Sequence, residues 1–286
     1  MIATNGNFFA RVILDRLLSS NKHHVRGVVI VTGDYWGGTG WRALARLAVK
    51  TTLPYLAYKL FVIALFKLAG LVLRGDWDVH SLVRYLRIPC LITPEINSSE
   101  VESFIANLRP DLLVSVSCPQ RIRTHLLEIP SHGALNIHSS LLPAYAGLAP
   151  YFWVLAHGKP ATGTTVHYMT PQFDQGNVLV QQRCEILARD SAFALFSRLA
   201  VLGRDLLPTA VDLAMNGDPG RVQGSTTSSY FSHPDWKSYR SMRRRGHRLI
   251  QIRDIVQLLI HGSVVRPSVP IGPAIIAEER PLTSVA

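Results

Sequence analysis

The run Gly133-Ala-Leu-Asn136-Ile-His138-Ser-Ser140-Leu-Leu142-Pro143-Ala-Tyr-Ala-Gly147 decides how this chain is read. Its first half is short and apolar, as a strand requires, and side chains two apart on a strand share a face. Asn136 and His138 therefore address the same small volume. The second half is rich in Ser, Pro and Gly, so the strand gives way to a shaped loop. Asp174 follows 38 positions after Asn136, in a Phe173-Asp-Gln-Gly176 turn between strand-like runs at 164–169 and 177–186. An amide donor, an imidazole and a supporting carboxylate are the parts that acyl transfer to an amine needs.

Outward from that strand the chain alternates. Apolar runs at 2–4, 25–32, 90–93 and 112–117 read as strands, the one at 25–32 of the buried, continuous kind. Helical patterns fall at 8–18 and 99–108 between them, and at 150–157 and 191–216 after the motif. This order predicts an α/β fold: a Rossmann-like open, mostly parallel sheet with helices on both faces. Ligands of such sheets bind beyond the carboxyl ends of the strands, where Asn136 and His138 fall. The first strand is shorter than usual for such sheets, which leaves the completeness of the N-terminus open. The breakers Asn216-Gly-Asp-Pro-Gly220 close a catalytic domain of 1–216, leaving 217–286 as a basic extension and tail. Pro267 to Ala286 reads as irregular or mobile.

Composition narrows the class. A chain of 286 residues with 48% hydrophobic content buries a real core. Cys90, Cys118 and Cys184 are scattered and lack ligand spacing, so neither a metal nor a disulfide framework is expected. No signal-peptide order opens the chain, and a cytoplasmic location is the expectation. The net charge of +11 favours an anionic partner, and much of the excess lies in Lys237-Ser-Tyr-Arg240-Ser-Met-Arg243-Arg-Arg245-Gly-His-Arg248. That run suits a solvated basic helix or tail, a phosphate-facing surface or direct RNA recognition. Gly33 to Gly40 imitates a dinucleotide loop but lacks its spacing, and a plain connection is expected. Residues 41–74 form an apolar helical insertion. Its segment 53–73 suits packing within the protein, a homodimer contact or a membrane surface, and is short for a span.

The motif resembles that of the folate-dependent formyltransferases, which include glycinamide ribonucleotide, methionyl-tRNA and sugar N-formyltransferases. Their pattern, Asn-x-His-x-Ser-Leu-Leu-Pro-x-x-x-Gly with a downstream Asp-x-Gly, is met by Asn136 to Gly147 and by Asp174 to Gly176. Gly163-Thr-Thr-Val-His167-Tyr is similar to the family's strand before the Asp loop. The likeness is good over 111–186, weaker over 25–109 and absent after 218. It implies catalytic roles for Asn136, His138 and Asp174, with 10-formyltetrahydrofolate as formyl donor. The amide would bind the formyl oxygen, the imidazole would supply charge or accept a proton, and Asp174 would orient it.

The resemblance also implies where the donor lies: between the backbone of Pro119-Gln120-Arg121-Ile122 and that of Thr170 to Asp174, including Phe173. Ser140, Leu142 and Pro143 of the motif loop complete that list. Gln120 and Arg121 depart from the family's small apolar residues, and Arg121 reads equally as a solvated helix-start residue. A small-molecule amine is the expected acceptor: an amino sugar, a nucleotide-linked and so phosphate-bearing sugar, or a natural-product amine. No tRNA partner is expected, since the family's separate tRNA-holding β-barrel has no clear counterpart. Tyr151, Phe152 and Trp153 suit stacking on a sugar or base, and suit core packing as well. A hydrolase releasing formate and a non-catalytic binding protein are the alternatives.

Overall fold

Five largely apolar runs form the parallel part of the sheet, and all but the run at 90–93 are covered on both faces, which leaves them little solvent side to keep polar. The computed structural model describes residues 1–20, 23–34, 39–72, 77–224, 229–261 and 271–276. In it β1 (Ile2–Thr4), β2 (Val28–Val31), β3 (Cys90–Thr93), β4 (Leu113–Val116) and β5 (Ala134–His138) pair in the order β5-β4-β1-β2-β3. Beyond them lie β6 (Ala146–Gly147), β7 (Ala161–Tyr168), β8 (Val178–Glu185), β9 (Tyr230–Phe231) and β10 (Ile271–Ile276). Strands β7, β8 and β10 extend the sheet antiparallel, giving eight strands in the order β10-β8-β7-β5-β4-β1-β2-β3. The short β6 and β9 pair separately.

Strand alternation decides which helices each face meets. Ile2, Val28, Ile30, Val114, Leu135 and Ile137 join one core, with α1 (Phe8–Leu18), α7 (Pro150–Ala156) and α8 (Ala192–Met215). Ala3, Val29, Val31, Leu113 and Ala134 join the other, with α5 (Ser99–Leu108) and α6 (Thr124–Leu127). The remaining helices are α2 (Gly40–Lys50), α3 (Leu53–Val72), α4 (Val79–Tyr85), α9 (Trp236–Arg244) and α10 (Ile252–His261). Side-chain caps start several of them: Asn7 accepts from the Ala10 amide at 2.9 Å, and Ser191 from that of Ala194 at 2.9 Å. Gly203 lets α8 lie close on the motif strand, since a Cβ there would sit 2.5 Å from Ile137 Cδ1.

The predicted α/β sheet with helices on both faces is present. Helices over 8–18 and 99–108 have the expected bounds, and the 41–74 insertion is helical as α2 and α3. The tail differs from expectation. Ile271–Ile276 pairs with the β8 edge, an open row of N–H and C=O groups that an extended segment can satisfy. Pro273, which has no N–H to donate, lies within the register shift between Ile271 and Ala274. The rest of that tail, and Tyr35 to Gly38 of the glycine-rich connection, lie outside the described residues. The basic run is a solvated helix with Lys237, Arg240, Arg243 and Arg244 exposed, and it is anchored at its other side. It forms α9, and both Ser241 Oγ (2.6 Å) and Arg245 Nε (3.2 Å) donate to the Ala156 carbonyl that ends α7.

Candidate active site

Asn136 and His138 leave the same face of β5 as Ala134, but where Ala134 packs in a core, they line a cavity of about 370 Å³. Antiparallel pairing of β5 with β7 sets His167 directly across from Asn136. The loop after β7 then brings in Asp174, whose backbone is held left-handed at φ 53°. Its two carboxylate oxygens differ. Oδ2 is fixed by the Gly147 N–H at 2.8 Å, whereas Oδ1 faces three nitrogens at looser range. These are Asn136 Nδ2 at 3.4 Å, His167 Nε2 at 3.6 Å and His138 Nδ1 at 3.7 Å. Gly147 must be glycine for this anchor: its φ is +92°, and a Cβ would meet the Phe231 carbonyl oxygen at 2.3 Å.

Backbone carbonyls set both imidazoles. His138 Nε2 lies 2.8 Å from the Tyr145 carbonyl, so that nitrogen carries a proton and donates it, and Nδ1 is the nitrogen turned to Asp174. His167 Nδ1 donates to the Tyr168 carbonyl at 2.7 Å, which leaves Nε2 to accept from Asn136 Nδ2 at 3.2 Å. With His167 and Asp174 both accepting, the Asn136 carboxamide is held with its N–H groups toward the cluster. Burial alone would raise the Asp174 carboxyl. The charge of His138 beside it and the Gly147 amide hold it well below its ordinary value of 3.8. Asp174 is therefore a carboxylate throughout the neutral range.

Each sequence-predicted residue has a definite place. Pro119, Gln120, Arg121, Ile122, Thr170 and Phe173 line the same cavity as Asn136, His138 and Asp174. The buried Gln120 side chain is fully used by the fold. It donates to the Asp34 and Pro94 carbonyls at 2.9 and 2.7 Å and accepts from the Ile96 amide at 2.8 Å. Arg121 is exposed and lies ahead of the helix that starts at Thr124. It donates to the Pro171 carbonyl and lies 5.6 Å from the centre of the Phe173 ring, clasping the two backbone segments together. Ser140, Leu142 and Pro143 are not among the cavity's lining residues. They shape the loop: Ser140 Oγ donates to the Ala144 carbonyl at 2.7 Å, Gln181 holds the Leu142 carbonyl at 2.8 Å, and Leu142–Pro143 is cis. Of the three aromatic residues, Tyr151 reaches the cavity while Phe152 and Trp153 pack in the core.

Several site residues escaped the sequence reading. His167 belongs to the cluster by strand register. The segment after 216 closes the site rather than hanging from it, since Tyr230, Ser232 and His233 line the cavity. Strand β9 pairs with β6 of the motif loop, and Gln223 Nε2 clamps the Asp174 and Gly176 carbonyls at 2.9 and 2.7 Å. His233 is pushed below its ordinary 6.5, first by burial and then by Lys50 and Lys59.

The family described as formyl transferase matches residues 1–211. A methionyl-tRNA formyltransferase of Alkaliphilus oremlandii is 35% identical over 144 residues, 50% of this chain and 46% of that protein. A GDP-perosamine N-formyltransferase of Brucella melitensis is 35% identical over 152 residues, 53% of this chain and 58% of its own. The chain thus spans about half the length of the curated relatives it matches. Among solved structures, an N-formyltransferase of Helicobacter canadensis in complex with folinic acid and dTDP-3-aminofucose shares the fold. It gives a TM-score of 0.53 at 19% identity, over 81% of this chain and 69% of that one. A phosphoribosylglycinamide formyltransferase of Anaplasma phagocytophilum gives 0.54 at 17% identity, over 82% and 97%. On the match over 1–211, this chain belongs to the formyl transferase family.

Proposed function

We propose that this chain is an N-formyltransferase that moves a formyl group from 10-formyltetrahydrofolate to a primary amine of a small molecule. The observation that carries the reading is the meeting of Asn136, His138 and Asp174 at one cavity wall, with Asp174 Oδ1 within 3.4–3.7 Å of the nitrogens it faces. Attack by the amine nitrogen on the formyl carbon forms the new C–N bond and puts negative charge on the formyl oxygen. The Asn136 N–H held only loosely by Asp174 turns to that oxygen, a contact worth roughly 3 kcal/mol of barrier. The intermediate then collapses, the bond to the folate nitrogen breaks, and the amine's proton passes to that nitrogen. His138 and Asp174 serve the transfer together: Nδ1 is the ring nitrogen not committed to a carbonyl, and the carboxylate beside it stabilises the charged ring.

The donor's place is the slot between Pro119–Ile122 and Thr170–Asp174, its width set by the Arg121 clasp. A phosphate-bearing amino sugar suits the acceptor side, where Lys50 brings positive charge and Tyr151 and Tyr230 bring ring faces. The sugar acceptor in the Brucella relative's name supports that class. The test is incubation of the full chain with 10-formyltetrahydrofolate, with and without a panel of amino sugars, nucleotide-linked amino sugars and other primary amines. Mass spectrometry is expected to find a formamide only when an amine is present. Formate released without amine would make the protein a hydrolase, and no turnover with any amine would leave a binding protein.

A further inference from the structure

We propose that the consecutive helices α2 and α3 are a seat for an anionic lipid surface, lying along the headgroup layer rather than crossing it. One side of α3 is fixed to the protein. Tyr55 and Tyr58 are buried, the Tyr55 hydroxyl lies 2.9 Å from that of Tyr151, and Phe66 stacks on Phe8 at 4.2 Å. A helix so attached cannot be ringed by lipid, although Leu53–Gly70 is long and apolar enough to span. Nor is it a core helix, since only 17% of that stretch is buried. Its other side shows Leu53, Leu60, Phe61, Ile63 and Leu68 to solvent at helical spacing, between 43% and 70% exposed.

Helix α2 supplies the charge. Trp41, Leu44 and Ala48 form an apolar stripe, and Arg42, Arg46 and Lys50, spaced by four, form a basic one beside it. This is the make-up of a helix lying in a membrane interface. Arg46 also pairs with Asp34 at 3.3 Å, so the seat's charge is partly shared with the domain. Between Asp34 and Asp76 the sequence has no acidic residue and carries Arg42, Arg46, Lys50, Lys59, Lys67 and Arg74. A second copy meeting this face across a two-fold axis would set cations against cations. Anionic headgroups take the same charge favourably, and acyl chains take the apolar stripe. The seat is joined to the cavity rim: Lys50 lines the cavity, and Thr51 Oγ1 donates to the Pro234 carbonyl at 3.0 Å.

The test is flotation of the full chain with phosphatidylcholine vesicles, with and without phosphatidylglycerol, at low and high salt. Binding is expected to rise about tenfold with the anionic lipid and to fall with salt. The double variant Phe61→Asp, Leu68→Asp is expected to lower binding by about tenfold, and Arg42→Glu with Lys67→Glu by a similar factor. All four positions are exposed, so the melting temperature should stay at the wild-type value. Absence of binding to anionic vesicles, or binding that both variants retain, would overturn the proposal. So would a wild-type dimer in sedimentation that Phe61→Asp, Leu68→Asp dissolves, because the face would then belong to a second copy. Formyl transfer enters none of these readouts, so failure here leaves the catalytic reading intact.

Discussion

Asn136→Ala is expected to slow formyl transfer by about 10²–10³-fold, the effect of removing one donor from the site of a developing oxyanion. The loss should fall on kcat more than on KM, since the amide is worth most when charge has formed. Stability should change little. Asn136 is only partly buried, and its backbone pairing to Ser115 and His167 is independent of the side chain. Steady-state kinetics with an accepted amine, beside a thermal melt, reads both effects. Turnover within a few-fold of wild type would remove Asn136 from the chemistry.

Asp190→Ala is expected to destabilise the fold by about 3–5 kcal/mol, the cost of leaving one member of a buried ion pair without its partner. Asp190 receives Arg198 Nη1 at 2.8 Å and the Leu187 amide at 2.8 Å, and its carbonyl accepts from His247 Nδ1 at 2.9 Å. The carboxylate thus joins the turn after β8 to α8, while the backbone carbonyl, which the substitution keeps, holds the segment after α9. In the variant Arg198 stays buried without a counter-ion, its Nη2 keeping only the Glu185 carbonyl at 3.1 Å and its Nε already without a hydrogen-bond partner. Replacing both residues with apolar ones should recover much of the loss, because a buried pair contributes little net stability once its desolvation is counted. Urea unfolding measures the change. A loss below about 1 kcal/mol would mean that water reaches Arg198 and the joint is not closed.

Local features of the sequence were the legible ones. Val28–Val31 announces itself because a doubly covered strand is apolar throughout, and Phe8–Leu18 because its apolar positions recur at helical spacing. The triad was legible because Asn136 and His138 sit in one strand, with Asp174 in a recognisable turn. Long-range pairing was what stayed hidden. His167 reads as one more polar residue of a strand until the β5–β7 register sets it against Asn136. Gln223 and Tyr230 lie beyond the breakers at 216–220, yet loop-to-loop pairing returns them to the motif. Ile271–Ile276 contains Gly and Pro, so its own composition argues against a strand, and the open β8 edge supplies the reason for one. Ser140 and Pro143 sit in the most recognisable stretch of all, and their spacing could not separate a residue that shapes the loop from one that touches a ligand.

The central claim is that one wall of this cavity holds a formyl group between Asn136, His138 and Asp174. A crystal structure of the full chain with 5-formyltetrahydrofolate tests it most directly. The pterin is expected between Pro119–Ile122 and Thr170–Asp174, with the N10 end of the folate turned toward Asn136 Nδ2 and His138. A well-ordered folate bound elsewhere, or one in this slot with its N10 end turned from all three side chains, would contradict the assignment.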